Sequence, residues 1–369
     1  MDYITTSNLY WDRFDLTVVK QMLFTDAEKE KCTVKCGDLL VCEGGDIGRA
    51  AIWSYDYEIR IQNHIHRLRG LCNINHRFYY YIFLLYKMRN FIGGKGVAIQ
   101  GLSSNDLHKL VVPLPPIEEQ LRIVRAVEDW FSVIDKIEQE KTDLENAIKQ
   151  AKSKILDLTI HGKLVPQDPN DEPAIELLRR INPDFQPCDN AQYQYDIPDS
   201  WEWANLGGIG KWQSGGTPDR KNKSYYNGEI PWLKIADLQD KYVTEATEFI
   251  TQEGLNNSSA KFNPAGSVAL AMYGSIGKVG ILTFPATTNQ AICVCSDYRI
   301  DQKYLFYFLI SQRDSFFMLS GGGVQANISK QIIVKHPIPI PPHLEQLRIV
   351  AKIEELFATL DKIKESLEV

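Results

Sequence analysis

With 369 residues, 44% of them apolar, the chain can bury two ordinary hydrophobic cores, and a formal net charge of −6 excludes indiscriminate binding to nucleic acid. The longest apolar run, Phe78 to Tyr86, is too short to span a bilayer, and the N-terminal MDYITTSN lacks the character of an export signal, so a soluble, cytoplasmic protein is expected. Seven irregularly spaced cysteines suit a reducing compartment rather than a disulfide framework.

Residues 1–116 read as a mixed α+β unit. Strand-like runs at Gly37 to Val41 and Ala50 to Trp53 flank the turn GGDIGR, and Phe78 to Asn90 reads as a buried helix. Ser104 is placed to cap the short segment after the Gly-rich loop. Cys32, Cys36 and Cys42 with His64 and His66 lack the tight Cys-x-x-Cys spacing of structural zinc, so buried thiols in strands are the better reading. His64 and His66 alternate with apolar residues, which puts both on one strand face.

Residues 117–161 contain neither proline nor glycine and read as one long helix. Pro113, Pro115 and Pro116 set its entrance, and Gly162 with Pro166 supplies the stop. Val127, Ile134, Ile148 and Ile155 share one seven-residue series, and Val124, Phe131, Leu144, Ala151 and Leu158 flank it. That draws a narrow seam suited to one partner helix. Residues 162–181 form a polar connector ending in a brief helix from Pro173 to Ile181. Residues 182–342 form a second globular unit, and residues 343–369 begin a second rod with Val350, Ile353, Phe357, Leu360 and Leu367 in its seam.

The second unit and rod repeat the first. PLPPIEEQLRIV at Pro113 to Val124 returns as PIPPHLEQLRIV at Pro339 to Val350, an offset of 226. GDLLVCEGGDIGR at Gly37 to Arg49 returns as GSVALAMYGSIGK at Gly266 to Lys278, an offset of 229. Two full copies at that spacing would exceed the chain by about 85 residues. The first copy begins where the second has already reached Ile230, and the second rod ends early. The chain is therefore expected to be truncated at its N-terminus or to start late.

Charge is segregated along the chain. No acidic residue falls between Glu58 and Asp106, whereas Arg60, Arg67, Arg69, Arg77, Lys87, Arg89 and Lys95 do. Lys211, Arg220, Lys221, Lys223 and Lys234 are interleaved with aromatics in the second copy. Globular units that touch phosphate while their helices face away would carry that pattern. No catalytic constellation is present: NPAG at Asn263 lacks the second proline and aromatic ring of a methyltransferase tetrapeptide, and the Gly-rich strings are not phosphate cradles.

The doubled module, with GGTP, IPWLKIADL, YGSIGKVGI, PIPPHLEQLRIV and ILDLTIHGKLVPQDPNDEPAIELL, resembles the specificity subunit of a type I restriction-modification system. The resemblance implies an α+β fold class: two similar target-recognition domains held apart by long antiparallel coiled-coil helices, the first domain incomplete at its N-terminus. It further implies a non-catalytic chain that reads a bipartite site in double-stranded DNA. Two adenine methyltransferase subunits and an endonuclease (restriction/translocase) subunit would dock on it, and S-adenosylmethionine, ATP and Mg would bind those partners rather than this chain.

Candidate DNA contacts, taken as loop residues, are Arg49, Arg60, Gln62, Asn63, His64, His66, Arg67, Lys95 and Gln100 in the first copy. In the second they are Lys211, Gln213, Ser214, Thr217, Arg220, Lys223, Tyr273, Ser275, Lys278, Gln325 and Asn327. If the rods pair antiparallel, Val369 faces Asp135, and residues 117–134 lose their partner. Val124, Val127, Trp130, Phe131 and Ile134 would then be bare, at roughly 1.5 to 3 kcal/mol each of unrealised burial. Another chain is expected to cover them, either a second copy by self-association or a methyltransferase subunit. The competing reading is an interaction scaffold whose domains hold partner proteins without reading DNA.

Overall fold

The computed structural model describes residues 1–92, 102–186, 195–321 and 327–366. The chain divides into two compact units, Met1–Glu140 and Lys141–Val369, with the boundary inside the helix Ile117–Ile160.

The repeat seen in the sequence is reproduced bond for bond. In the first unit, strands Leu39–Cys42 and Ala50–Ile52 pair antiparallel, and Ile65–Leu68 pairs on the other edge of 39–42. In the second, Val268–Ala271 pairs with Val279–Leu282 and with Ile292–Ser296 in the same order. Strands 39–42, 268–271, 279–282 and 292–296 are buried throughout, which suits near-continuous apolar runs such as LLVC and VALA. A short strand enters each unit parallel to the segment that precedes the third strand: Asp2–Ile4 beside Ile59–Ile61, and Tyr226–Leu233 beside Thr287–Thr288.

An aromatic helix then lies on the sheet, His76–Met88 in one unit and Gln302–Ser311 in the other. Asn75 and Asp301 cap these helices, accepting from Phe78 N–H at 3.1 Å and Tyr304 N–H at 2.9 Å. The cap residues are themselves fixed to the long helices, because Gln120 accepts from Asn75 N–H at 2.9 Å and Gln346 from Asp301 N–H at 2.8 Å. Both glutamines are buried. One buried amide at each helix start therefore ties the sheet-covering helix to the rod in both copies of QLRIV.

The short helix Ser104–Lys109 is capped by Ser103, whose hydroxyl accepts from Asp106 N–H at 3.3 Å, and not by Ser104. Gly162 at φ +63°, with Lys163 N–H on the Leu158 carbonyl at 2.9 Å, ends the long helix at Ile160. In the second unit the remainder of that helix runs antiparallel to His343–Glu365: Lys152 bonds Asp361 at 2.5 Å and lies over the Phe357 ring, while residues beyond the long helix, Gln167 and Asp171, meet Glu345 and Arg348.

The pairing register differs from expectation. A scheme placing Val369 opposite Asp135 would put Asp361 opposite Asp143, but Asp361 sits on Lys152, nine positions further on. Gln167 and Asp171, beyond the helix, meet Glu345 and Arg348 in the same register, contacts that no heptad count includes. Cys42, Cys293 and Cys295 are buried strand thiols, whereas Cys36 and Cys72 are exposed. Among the described residues no helix is long and apolar enough to cross a membrane.

Candidate nucleic-acid interface

Each unit offers one polar end of a sheet, three-stranded in the first unit and five-stranded in the second, built around the recurring turn. In the first, Cys42 N–H donates to the Arg49 carbonyl at 2.8 Å and Gly48 N–H returns to the Cys42 carbonyl at 2.9 Å. In the second, Ala271 N–H meets Lys278 at 2.8 Å and Gly277 N–H meets Ala271 at 3.0 Å. Gly48 and Gly277 stand at φ +83° and +81°, a left-handed conformation that L side chains rarely adopt. A Cβ at either would also strike Ile92 or Arg313, at 2.4 and 2.9 Å.

A second loop lies against each turn. Glu43 N–H bonds the His64 carbonyl and Met272 N–H the Ala291 carbonyl, both at 2.8 Å, which brings Gln62, Asn63 and His64 to one end, and Asn289 and Gln290 to the other. Gln62, Asn63 and His64 are all exposed. In the second unit the same end gathers Ser214, whose strand partner is Cys293, and Thr217, whose hydroxyl donates to Gln290. Exposed Tyr273 and Ser275 join them, with Asn327 bridged to Tyr273 and Lys278 half-buried beside them. Among the described residues Lys278 has no ion pair, which leaves its ammonium available to a ligand phosphate.

Other candidates make contacts within the fold. Arg49 lies at the turn, but its guanidinium donates to the Thr6 carbonyl at 2.6 Å and covers Tyr10. Arg60 is mid-strand and largely covered, and Arg67 is in a strand with its guanidinium on the Thr33 carbonyl. Neither is a loop residue: both lie in strands, Arg60 beside the Glu58 carboxylate at 3.8 Å and Arg67 on neighbouring backbone. His66 bonds the Leu102 carbonyl at 2.5 Å, whereas His64 precedes the strand at φ +78°, so the two do not share a face.

In the second unit Lys211 sits at the far end of strand Lys211–Ser214, opposite Ser296. Gln213, also in that strand, bonds Asn263 at 2.7 Å. Arg220 is sandwiched 4.7 Å from the Tyr226 and Trp232 rings and paired with Glu248, whose carboxyl is held below its usual range by Lys234 first and Arg220 second. Lys223 is exposed in a short 3-10 turn. Lys95, Gln100 and Gln325 lie outside the described residues.

Two turn-holding cations escaped the sequence reading. Lys87 reaches the Ile47 carbonyl at 3.0 Å and Asp46 at 2.7 Å, and Arg313 reaches the Gly277 carbonyl at 3.1 Å and Asp240 at 2.7 Å. They stand at equivalent places in the repeat, so the offset of 226 was the signal that could have found them.

The helix seam is a separate apolar feature of the first unit. Trp130 is 69% exposed and Ile137 59%, with Phe131, Val133 and Ile134 also exposed. Val124 is not bare, as the seam pattern suggested, but buried at 7% in the core of the first unit, and Val127 is half-buried. The first turns of the helix pack on their own domain through Val124. Phe131 also stacks on Tyr81, centroids 6.0 Å apart.

One module is thus present twice, each copy presenting one polar sheet end beside a long helix. The chain belongs to the type I restriction-modification DNA specificity family, whose model matches residues 1–149 and again 198–369. It is 35% identical over 175 residues to the EcoR124I/EcoR124II specificity subunit of Escherichia coli, covering 45% of this chain and 43% of that one. Over 300 residues it is 26% identical to the EcoAI specificity subunit of the same organism, 72% of this chain and 49% of the relative. The chain thus spans about half the length of the curated relatives it matches.

Among solved structures, a chain from a study of type I R-M complex assembly and conformational transition matches with a TM-score of 0.64 at 18% identity, over 100% of this chain and 86% of the other. The HsdS subunit of Thermoanaerobacter tengcongensis gives 0.59 at 17%, over 99% and 84%. At those identities the likeness is one of fold: two mixed domains linked by long helices.

Proposed function

We propose that this chain is the non-catalytic specificity subunit of a type I restriction-modification complex. Each unit reads one half of a bipartite duplex site through the sheet end that carries its turn. The observation that carries this reading is the pair of turns 43–49 and 272–278, identical in hydrogen bonding and each flanked by an exposed polar loop. Backbone held that firmly lets side chains meet base edges without an ordering cost at binding.

Adenine methylation and cleavage then belong to partner subunits, which bind S-adenosylmethionine and ATP with Mg, in the cytoplasm. The exposed seam from Trp130 to Ile137 is offered to a methyltransferase subunit. The test is duplex binding by the assembled complex across a salt series. Removing one phosphate contact with Lys278→Ala should flatten the log-log slope by about 0.9. Binding without salt dependence, or a host methylome without a two-part motif, would overturn it. A scaffold that holds proteins without reading DNA is the alternative, favoured by one observation: Arg49, Arg60 and Arg67 are spent on internal carbonyls and carboxylates.

A further inference from the structure

The loop beside each recurring turn carries two consecutive primary amides. Strand pairing fixes which of them correspond: Cys42 faces Ile65 and Ala271 faces Ile292, so Gln62 and Asn63 stand where Asn289 and Gln290 stand. Backbone bonds agree with that match. Gln62 N–H donates to the Ile4 carbonyl at 3.1 Å and Asn289 N–H to the Leu233 carbonyl at 3.0 Å, in each case from the loop to the strand that enters its unit. The loops part at the residue after the amides, where His64 stands at φ +78° and Ala291 donates its N–H to Asn289 Oδ1 at 3.1 Å. An amide therefore occupies both positions in both copies although the next residue differs.

The two amides of the second unit have different surroundings. Asn289 is half-buried, its Oδ1 accepts from Ala291, and the Thr288 carbonyl just before it accepts from Gly216 N–H at 2.9 Å. Gln290 is exposed with the neighbouring Gly215–Thr217 loop in place. Its Oε1 takes the Thr217 hydroxyl, and its Nε2 has no partner among the described residues. A carbonyl oxygen carries two lone pairs, so Thr217 holds the amide plane and leaves one acceptor site beside a free donor. Asn63, at the corresponding place, is exposed as well.

A donor and an acceptor side by side on one amide match one base in the major groove, adenine, through its N7 and N6–H2. Guanine offers two acceptors there and cytosine a lone donor, so neither engages both halves of an amide. We propose that Gln290 and Asn63 are the adenine-reading residues of the two units. Each donates from its amide nitrogen to N7 and accepts from N6–H at its amide oxygen, while Asn289 and Gln62 position them through the bonds above. The proposal rests on the reading of each unit as a DNA reader. It adds that each half of the site holds an A·T pair read within the stack, distinct from the base that is methylated.

The experiment uses the complex assembled on the full chain. The methylome of a host expressing it defines the two-part motif. Binding is then measured on duplexes in which 7-deaza-2′-deoxyadenosine replaces one adenine at a time, a change that removes only the N7 acceptor. In the parent, one unmethylated adenine in each half should be sensitive, by about fivefold. Gln290→Ala should abolish that sensitivity in one half and keep it in the other, and Asn63→Ala should do the reverse. Each should also lower discrimination against other bases at its position by about tenfold or more. Gln290→Glu, isosteric but lacking the donor, should behave as Gln290→Ala does. The half that stays sensitive shows that the variant folds, and an unchanged salt slope separates a base contact from a phosphate contact. Equal sensitivity in parent and variants, a half whose sole A·T pair is the methylated one, or loss of both halves in a variant that melts like the parent would overturn the proposal. A parent that binds without salt dependence or has no two-part motif would overturn the underlying reading, and this proposal with it, before any variant is made.

Discussion

Strand 337–340 and residues 111–114 come from matching stretches, PIPI and PLPP-flanked VVPL, and have opposite fates. The first is buried and paired with 202–205; the second is bare. The turns 37–49 and 266–278, by contrast, agree in every backbone bond and every positive φ. Local sequence settles a structure closed by bonds within a dozen residues, whereas a strand whose partner lies far along the chain takes its state from that distant pairing.

That contrast can be broken most sharply at the strands. Ile340→Ala should destabilise the second unit by about 2 to 5 kcal/mol, because a fully buried side chain leaves a cavity. Leu114→Ala at the equivalent position should change the first unit by less than about 0.5 kcal/mol. Denaturant-dependent amide exchange, followed separately in strands 268–271 and 39–42, reads both, and equal losses would erase the distinction.

A pH series sharpens it next. Burial lowers the pKa of His336 from 6.5 to about 4, and the equivalent position in the first unit is Leu110. A depressed imidazole pKa means that the unfolded chain takes up a proton the folded unit refuses. The second unit should therefore keep its full stability above pH 6.5 and lose it as the pH falls toward 4, by about 3 kcal/mol in all. The first unit has no such group at that site, and His336→Leu should remove this contribution to the slope in the second. Urea melts at pH 7.5 and 4.5 with a probe in each unit would show it.

The turns should respond alike. Gly48→Ala and Gly277→Ala both meet positive φ and a steric clash, and each should cost about 1 to 3 kcal/mol by the same exchange measurement. A loss confined to one unit would deny that the turns are equivalent. Smallest is the ion pair from the sheet-covering helix to the rod, Arg77 with Glu128 at 3.0 Å and Lys303 with Glu354 at 2.6 Å. These pairs are partly exposed, so Glu128→Gln and Glu354→Gln should each shift stability by about 0.5 kcal/mol and vanish in high salt.

Much of this molecule could be read without coordinates. The long helix, the aromatic helices, the connector helix at 174–181 and the duplication follow from proline and glycine placement and from recurrence at a fixed offset, signals that act over a few turns of chain. The sheet ends were legible too, because glycines at 45, 48, 274 and 277 mark a turn that only glycine enters readily. Charge type alone did not reveal the internal contacts of Arg49, Arg60, Arg67 and Arg220: a guanidinium has five donors, and nearby carbonyls, carboxylates and rings can engage several of them.

What only the tertiary structure decided are the long-range matters. These include the helix pairing register, the burial of Val124 against its own domain, and the service of Lys87 and Arg313 to the turns. Each depends on residues dozens to hundreds of positions apart meeting in space, and periodicity along one segment carries no information about which distant surface it will find.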